Sequence, residues 1–381
     1  MNILIISSVS SLIEQFLLNN IQILKDLGAN ITIATNFETG HFLTNNHGQE
    51  LKEKFESENI KCLHIPFTRN PLKKSNYSCK KLVDKLLLEN SYDLIDCHSP
   101  VGGLISRLSA RKIKDIKVMY TAHGFHFYKG CPTKNKIIYK NIEKFLARYT
   151  DALITMNKED YFAAQEFKLK KNGKVYFING VGLDITRYVN KDFNIEDKKI
   201  ELGMNNGDLN LLAIGELIAR KNYFTMLEVM TLLPPNIRLY ICGKGELEDK
   251  LKTRVKELKL EDKIIFLGFR NDIPELLHTC DIYIMPSFQE GLPRATMEAM
   301  AAGKPVIASS IRGNVDLIDE GKGGFLVNPK DINGFVKAIK TLINNKDLQK
   351  QFSLYNLEKI KINDINEVGK EMKNIYTEVL Y

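Results

Sequence analysis

The sequence predicts an α/β protein with two doubly wound parallel sheets, one in each half of its 381 residues. Short β-branched runs alternate with amphipathic stretches in two successive arrays, and a polar, charged stretch separates the arrays. The runs are apolar without interruption, which is typical of parallel strands covered on both faces by helices. Two such arrays joined by a polar stretch indicate two domains and a linker.

The first array begins with the strand NILIIS and the helical stretch SLIEQFLLNNIQILKDLGA. The strands predicted after it are NITIAT, CLHIPF, YDLIDCH, KVMYTAH, DALITM and KVYFING. The second array supplies NLLAIGEL, IRLYICGKG, KIIFLGF, DIYIMPS, KPVIASS and GFLVNP. We predict a first domain over residues 1–185, a linker over 186–208 and a second domain over 209–355. A C-terminal helical segment, 356–381, is expected to return to the first domain.

The composition is that of a globular cytoplasmic protein, with 44% apolar and 26% charged residues. No apolar run approaches the ~18 residues that a membrane span requires. The start, MNILIISSVSS, lacks the basic region of a secretory signal. The cysteines lie far apart without a CxxC pair, so we expect neither a zinc site nor a disulfide framework. They are Cys62, Cys79, Cys97, Cys131, Cys242 and Cys280.

The net charge of +8 is concentrated in the first half of the chain. Between Val101 and Arg148 there are eleven Lys and Arg residues against two acids, Asp115 and Glu143. This region is either a solvated lysine-rich surface or a patch that faces anionic lipid, where each basic residue contributes ~1 kcal/mol. The second interpretation places the protein peripherally on the inner face of the cell membrane. No basic motif with interleaved aromatic residues is present, so nucleic acid is not an expected partner.

Polar residues follow several of the predicted strands. His98, His123, Lys221 and Glu290 each come at or shortly after the end of a strand. Ligands of doubly wound sheets bind at the carboxyl ends of the strands. The sequence therefore predicts a binding crevice lined by these residues.

Glu290 and Glu298 flank the start of a predicted helix in the stretch FQEGLPRATMEAMAAGKPVIAS. A helix that begins near Pro293 offers backbone N–H groups to an anion, and Gly291 allows close approach to the backbone. Helical side chains lean toward the N-terminus, so Glu298 can accept from a vicinal diol such as a ribose. The alternative is two exposed acids at a helix start, where acids are favoured in any case.

The segment EGLPRATMEAMAAGKPVIAS resembles the E-x7-E signature of the family 4 retaining glycosyltransferases of GT-B fold. The resemblance extends in order through TAHGFHFYKG, GELIARKN, ICGKGELEDKL and FLGFRNDIPELLHTCDIYIMPS, and covers nearly the whole chain. The HGFHF version is similar to bacterial members that build capsule, exopolysaccharide or lipid-linked oligosaccharides. The family implies two facing Rossmann-like domains, with the acceptor on the first, the nucleotide-sugar on the second and a cleft between them.

The resemblance also assigns roles to the glutamates. Glu298 is similar to the residue that holds the ribose hydroxyls of the donor. Glu290, with the backbone of Gly291, Leu292 and Pro293, would hold the hydroxyls of the transferred sugar and the phosphates.

Further donor contacts come from four other motifs. Lys221 matches the lysine that neutralises the diphosphate, and His123 resembles the histidine beside the reacting carbon. Phe269 and Arg270 occupy the place where the family's backbone meets the nucleobase. Gly243, with Gly245 after it, lies on the wall of the same pocket. No DxD motif is apparent, so neither a metal nor a cofactor is implied beyond the nucleotide-sugar itself.

The chain departs from the family at Gly215-Glu216, where many members have Gly-Arg and use the arginine as a second diphosphate clamp. Glu216 cannot take that role. Either Arg220 supplies the charge, or Glu216 indicates a variant donor geometry. Lys244 and Arg294 are equally compatible with ligand contact and with a solvated surface.

The acceptor residues are less well defined. The segment SSVSSLIEQF replaces a Gly-rich loop of the family, which makes Ser8 a candidate acceptor contact. His98 is a second candidate, or a wall histidine. His126 is a third, or a residue that orders its loop. For His123 the alternative is a buried structural histidine.

Together these features predict a glycosyltransferase, and the family resemblance implies retention of the anomeric configuration. The donor is expected to be a nucleotide-sugar, a UDP-linked hexose or N-acetylhexosamine. The acceptor is expected to be a sugar hydroxyl of a glycan or of a polyprenyl-diphosphate-linked sugar in surface polysaccharide assembly. The alternatives are an epimerase or phosphorylase of the same architecture, and a non-catalytic nucleotide-sugar-binding partner of such an assembly.

Overall fold

The structure, a computed structural model, describes residues 1–39, 46–68, 70–71, 73–189, 193–205 and 207–381. It divides into two compact units. The first unit contains Met1–Gly182 and Ile365–Tyr381, and the second contains Leu183–Asp364. Each unit has one sheet of parallel strands.

The sheet of the first unit has the strand order β3-β2-β1-β4-β5-β6-β7. Its strands are β1 (Asn2–Ile6), β2 (Asn30–Thr35), β3 (Lys61–His64), β4 (Leu94–His98), β5 (Lys117–Ala122), β6 (Ala152–Thr155) and β7 (Lys174–Phe177). Its helices are α1 (Ser10–Phe16), α2 (Leu18–Asp26), α3 (His47–Ser57), α4 (Ser75–Glu89), α5 (Pro100–Ala110), α6 (Thr133–Leu146), α7 (Lys158–Gln165) and, from the C-terminal stretch, α17 (Ile365–Leu380).

The sheet of the second unit has the order β10-β9-β8-β11-β12-β13. Its strands are β8 (Leu209–Ile214), β9 (Ile237–Cys242), β10 (Ile264–Gly268), β11 (Ile282–Met285), β12 (Val306–Ser309) and β13 (Gly324–Val327). Its helices are α8 (Thr186–Val189), α9 (Ile195–Glu201), α10 (Tyr223–Thr231), α11 (Glu248–Glu257), α12 (Ile273–Thr279), α13 (Arg294–Ala301), α14 (Asn314–Leu317), α15 (Ile332–Ile343) and α16 (Lys346–Lys359).

Each apolar run predicted to be a strand forms one, which confirms the predicted fold class. The central strands are buried along their whole length, as β4, β6, β11 and β12 show. In each sheet the strand order reverses next to the first strand, between β1 and β4 and between β8 and β11. Doubly wound sheets bind ligands at this reversal, and the residues that follow β4, β8 and β11 include the predicted site residues.

The second unit is larger than the sequence indicated. The predicted linker, 186–208, contains α8 and α9, and both helices belong to the second unit. Residues just beyond the predicted boundary at 355/356 also belong to it. Asn356 Nδ2 donates to the Lys304 and Gly323 carbonyls at 2.8 Å, and Ile360 is 1% exposed in the core of this unit. The chain therefore leaves the second unit after Asp364.

Helix α17 packs on α2 of the first unit. Asn19 Nδ2 donates to the Ile365 carbonyl where α17 begins. Tyr376, one turn before the end of α17, is fully buried and donates its hydroxyl hydrogen to Asp96 of β4. The end of the chain is thus part of the core of the first unit.

Candidate active site

Glu290 is the centre of a buried charge cluster in the second unit. It follows β11, and its side chain is 8% exposed. Lys221 Nζ lies 2.8 Å from Oε1, and Arg220 Nη1 lies 3.1 Å from Oε2. Burial raises the pKa of Glu290, but the attraction of Lys221 and Arg220 outweighs burial and holds the pKa below its usual value. The cluster therefore contains one carboxylate and two cations, and has a surplus of positive charge.

The backbone fixes the two cations beside Glu290. Arg220 and Lys221 lie in a short 3₁₀ turn after β8, and Asn222 ends the turn in the left-handed conformation with φ +58°. The Asn222 side-chain amide donates to the Pro286 and Pro329 carbonyls at 2.9 and 2.8 Å. Asparagine tolerates this conformation better than most residues. The turn after β8 is therefore bonded to the loop that follows β11, and Glu290 lies in that loop.

Gly215 and Gly243 allow the ends of β8 and β9 to meet. Both have positive φ, +154° and +150°, and a Cβ on Gly243 would lie 2.0 Å from the Gly215 carbonyl oxygen. A Cβ on Gly215 would lie 3.0 Å from Lys221 Cε. A Cβ on Gly245 would lie 2.5 Å from the Leu217 carbonyl oxygen, a similarly close approach. These glycines have a packing role that does not depend on a ligand.

Helix α13 begins at Arg294, with Pro293 as N-cap and no side chain capping its first turn. Glu298, one turn into the helix, accepts from Arg294 Nε at 3.0 Å and is 12% exposed at its side chain. The phenol of Tyr188 lies against Glu298, and burial together with this carboxylate raises the pKa of Tyr188. Glu298 is therefore held between a cation and a hydroxyl near the start of the helix.

The loop before α13 is also closely packed. A Cβ on Gly313, which follows β12, would lie 2.4 Å from the Gly291 carbonyl oxygen. Leu292 packs against the apolar core of the second unit. The main chain from Glu290 to the start of α13 is therefore held in place by the β12 loop.

Two residues near this loop were not predicted from the sequence as part of the site. Arg312 is 6% exposed and donates from Nε to the Glu290 carbonyl at 3.1 Å, which adds a buried cation beside the loop. Tyr188 lies in the stretch predicted to be a linker. Neither residue belongs to a recognisable motif, and their positions depend on tertiary packing.

The remaining predicted donor residues lie at the edges of the unit. Glu216 is half-buried, and Phe269 is 41% exposed. Arg270 donates to Asp272 and Glu201, and these bonds raise the pKa of Arg270. The guanidinium of Arg270 is therefore held by carboxylates of the second unit. Lys244, in the β9 loop, is exposed.

His123 follows β5 in the first unit and contacts His98, the last residue of β4. His98 Nδ1 lies 3.2 Å from His123 Nε2, and His98 Nε2 lies 3.0 Å from Asp96 Oδ1. Burial and the neighbouring His98 lower the pKa of His123 to about 3, so His123 is neutral at physiological pH. His98 is 0% exposed. This differs from the acceptor contact predicted for His98, which requires an exposed side chain.

The other predicted acceptor residues lie elsewhere in the first unit. Ser8 is 4% exposed, and its backbone N–H donates to Ser99 Oγ at 3.1 Å. Ser99 caps α5, so Ser8 contributes to the joint between two loops. His126 is exposed, with its ring 5.1 Å from that of Tyr139. The structure thus brings His98 and His123 into contact.

A cavity of about 590 Å³ in the second unit lies at the amino ends of the strands, whereas Glu290 follows the carboxyl end of β11. It is lined by Asn210, Asp281 and Pro305, at the amino ends of β8, β11 and β12. None of the predicted site residues lines this cavity. Within the described ranges, no group of three His, Cys, Asp or Glu side chains is placed to hold a metal ion.

Two family models match the sequence. The model "Glycosyl transferase 4-like" matches residues 2–157, and the model "Glycosyl transferases group 1" matches residues 194–359. Together they fall on the two sheets described above. The chain belongs to this family of glycosyltransferases and is an enzyme of the GT-B type.

The sequence is similar to curated relatives over most of its length. The putative glycosyltransferase EpsD of Bacillus subtilis is 36% identical over 291 residues, which are 74% of this chain and 76% of EpsD. The UDP-Gal:alpha-D-GlcNAc-diphosphoundecaprenol alpha-1,3-galactosyltransferase of Escherichia coli is 32% identical over 273 residues, 69% of this chain and 70% of that enzyme.

A solved structure of Anabaena HepE in complex with UDP and glucose superimposes with a TM-score of 0.79. The match covers 99% of this chain and 100% of HepE, at 21% sequence identity. At this identity the likeness shows a shared fold. The family assignment favours a transferase over the epimerase, phosphorylase and binding-partner alternatives.

Proposed function

We propose that the protein transfers a sugar from a nucleotide-sugar, a UDP-linked hexose or N-acetylhexosamine, to a hydroxyl of a glycan or polyprenyl-diphosphate-linked sugar, with retention of configuration. The observation that carries the proposal is the cluster of buried Glu290 and Lys221 with the more exposed Arg220, at the carboxyl ends of β8 and β11. The relative from Escherichia coli is named for such a donor and acceptor, and the HepE structure contains UDP and glucose.

The cluster suits a diphosphate leaving group, which has about two negative charges. Lys221 is 10% exposed at its side chain, so it acts through little solvent and its attraction for phosphate is strengthened. Arg220 is 43% exposed and can move from Glu290 to the donor. A bound diphosphate would share these cations with Glu290, and the released carboxylate oxygen would accept from a sugar hydroxyl.

The transfer balances without a cofactor or a metal. The bond between the anomeric carbon and the phosphate oxygen breaks, and its electron pair stays on the phosphate. The acceptor oxygen bonds to the anomeric carbon, and its proton passes to the departing phosphate oxygen. The protein contributes positioning and preorganised positive charge. A neutral His123 does not repel the positive charge that develops on the sugar ring.

Nucleotide release tests this proposal. The protein is incubated with a panel of nucleotide-sugars and a bacterial membrane extract, and released UDP and labelled lipid are both measured. Glu290→Gln should lower both by about 10²-fold or more. Glu248→Gln is the control, because Glu248 forms a surface pair with Lys252 at 2.7 Å. Equal release by wild type and Glu290→Gln would contradict the assignment, and conversion of the donor without labelled lipid would indicate an epimerase.

The lipid-linked acceptor of this proposal requires access to a membrane, and α6 offers a suitable surface. Four large apolar side chains of α6 are exposed, each by more than a third, and three follow helical spacing at 138, 142 and 145. They are Ile137, Ile138, Ile142 and Phe145. The same helix contains Lys134, Lys136, Lys140 and Lys144. Apolar and cationic residues on one helix fit the interface of an anionic bilayer.

The structure also narrows the basic region predicted from the sequence. Arg107 is fully buried and pairs with Glu143 at 2.8 Å, so it adds no charge to the surface. None of the described helices combines the length and apolar content needed to cross a bilayer. The membrane contact proposed here is therefore peripheral and depends on α6.

Sedimentation with phosphatidylglycerol vesicles tests the membrane contact, with phosphatidylcholine vesicles for comparison. We expect binding to the anionic vesicles that weakens with salt and is lost in the Ile138→Ser/Phe145→Ser double variant. Leu88→Ser is the control, because Leu88 is an apolar residue of α4 that is 77% exposed. Binding that is indifferent to salt, or equal loss in the control, would refute the contact.

A further inference from the structure

A chain of four side chains runs through the interior of the first unit, from Tyr376 of α17 to His123. Tyr376 Oη donates to Asp96 Oδ2 at 2.6 Å, and Asp96 Oδ1 lies 3.0 Å from His98 Nε2. His98 Nδ1 lies 3.2 Å from His123 Nε2. Tyr376, Asp96 and His98 are each at most 1% exposed, and His123 is the member that keeps part of its surface accessible. The chain of contacts therefore runs from the core to the predicted sugar-binding residue.

When Asp96 is ionised and His98 has a single ring hydrogen, the hydrogens of this chain have one consistent arrangement. Burial and the neighbouring Asp96 raise the pKa of Tyr376, so its hydroxyl keeps its proton and donates to the carboxylate. Asp96 Oδ1 and His98 Nε2 are both buried without a hydrogen-bond partner among the described residues, and they lie 3.0 Å from each other. Buried polar groups are normally paired, and an N–H on His98 Nε2 is the group that can satisfy the carboxylate oxygen here. Asp96 thus favours the tautomer of His98 that has its hydrogen on Nε2.

The tautomer of His98 then determines that of His123. When the one ring hydrogen of His98 is on Nε2, its bare Nδ1 can only accept. The atom that faces it is His123 Nε2, which must therefore be the protonated nitrogen of its ring. Neutral His123 then has a bare Nδ1. An imidazole in this state accepts from a hydroxyl through Nδ1, and its lone pair favours nearby positive charge.

We infer that Asp96, oriented by Tyr376, is a positioning residue that sets the tautomer of His123 through His98. This inference rests on the proposed function only in its effect on transfer, because the tautomers themselves are a property of the free protein. It gives His98 a role that does not require contact with the acceptor. It also makes a residue of α17, 280 positions from Asp96, part of the support of the site.

The ¹⁵N resonances of the histidine rings test the inference in the full-length protein. His98 and His123 are assigned by single substitution, and protonated and bare ring nitrogens have well separated shifts. In the wild type both rings should have the hydrogen on Nε2. In Asp96→Asn the side-chain NH₂ can donate to His98 Nε2, so both rings should change to the Nδ1–H form. Tyr376→Phe should retain the wild-type tautomers because the carboxylate remains.

Tyr355→Phe is the matched control, because Tyr355 donates to Asp319 within the second unit. It should leave the ring resonances of His98 and His123 unchanged. A wild-type His123 with its hydrogen on Nδ1 would overturn the inference, and this measurement does not require any variant to fold. Unchanged tautomers in a folded Asp96→Asn protein would also overturn it.

Steady-state kinetics show whether Asp96 positions His123 for the reaction or only stabilises the fold. Asp96→Asn should lower kcat on the order of tenfold or more, while the donor KM changes little, because the wrong tautomer affects the reaction more than donor binding. A fall in thermal stability with unchanged kcat would reduce Asp96 to a structural residue and overturn the inference. If no donor supports transfer but the ring resonances behave as expected, the proposed function fails and the tautomer assignment stands.

Discussion

Lys221 Nζ lies 2.8 Å from Glu290 Oε1, and the two side chains are only 10% and 8% exposed. They come from loops that follow neighbouring strands of one sheet, β8 and β11. Ion pairs this deeply buried are strongly destabilised when one partner is removed, because the other charge stays out of water. The same pair is thus important for both the stability and the proposed chemistry of the second unit.

Removal of Lys221 should separate these two contributions. We expect Lys221→Met to lower transfer by about 10²-fold or more, because the leaving diphosphate loses its buried cation. The free energy of unfolding should fall by roughly 1–3 kcal/mol, less than for a fully unpaired charge because Arg220 still contacts Glu290. Urea unfolding and UDP release measure the two effects.

The double variant Lys221→Met/Glu290→Gln is the control for that experiment. It should recover much of the lost stability, since no buried charge remains, and should recover no transfer. A double variant as unstable as Lys221→Met would contradict the buried-charge explanation.

Glu216 stands where many family members have an arginine, and it offers a gain-of-function prediction. Glu216→Arg should tighten UDP binding by about tenfold, the equivalent of one charge-assisted hydrogen bond to phosphate. Glu216→Gln, which only removes the negative charge, should have a smaller effect. Isothermal titration with UDP measures both. Weaker binding by the arginine variant would show that Glu216 has a favourable role of its own.

The low pKa of His123 predicts a pH dependence of stability. The folded protein disfavours protonation until about pH 3, whereas the unfolded chain takes up a proton near pH 6.5. Between these values the unfolded state binds more protons, so the stability that neutral His123 provides is present above pH 6.5 and is lost as the pH falls. The loss is less than about 1.4 kcal/mol per pH unit.

Comparison with His123→Gln isolates this effect from that of the acidic residues. Urea unfolding of both proteins at several pH values between 3 and 7 should give a shallower dependence for the variant. Parallel curves for the two proteins would mean that His123 titrates equally in both states.

The buried pair of Arg107 and Glu143 predicts a large loss of stability in the first unit. Arg107 donates to the Gly103 carbonyl, pairs with Glu143 at 2.8 Å, and lies 3.9 Å from the centre of the Tyr120 ring. Glu143→Ala should destabilise the protein by about 3 kcal/mol or more, because the guanidinium is left unpaired away from water.

Glu166→Ala serves as the control for this prediction. Glu166 pairs with Lys140 at 2.7 Å on an exposed surface, and such pairs contribute at most about 1 kcal/mol. Thermal or urea unfolding measures the difference between the two variants. Equal losses would show that burial of the Arg107 pair does not determine its contribution.

The strands could be predicted because they appear as continuous apolar runs, and the central ones are buried on both faces. The stretch predicted as a linker belongs to the second unit, and its helices gave weaker signals in the sequence. Helix α9 is short and charged. It is capped by Asn194, whose side chain accepts from the backbone N–H groups of Glu196 and Asp197. That cap is visible in the sequence, whereas the four-residue α8 has no such signal.

The cluster around Glu290 could be predicted from the sequence more completely than the arrangement around His98. Lys221, Glu290 and the strand ends that carry them followed from motifs. The role of His98 did not, because its burial depends on the packing of β4 between β1 and β5. The contact between Asp96 and Tyr376 spans 280 positions, and no local pattern could indicate it.

The position of α17 has a consequence for biosynthesis. When residues 1–182 have been translated, all strands of the first sheet have been synthesised. Asp96 still lacks the hydroxyl of Tyr376, which is translated after the second unit. The nascent first unit therefore lacks the hydroxyl donor to Asp96 Oδ2 and the helix that packs on α2 while the entire second unit is translated. The earlier half of the polypeptide should mature last, and a truncated chain ending near residue 182 should remain protease-sensitive.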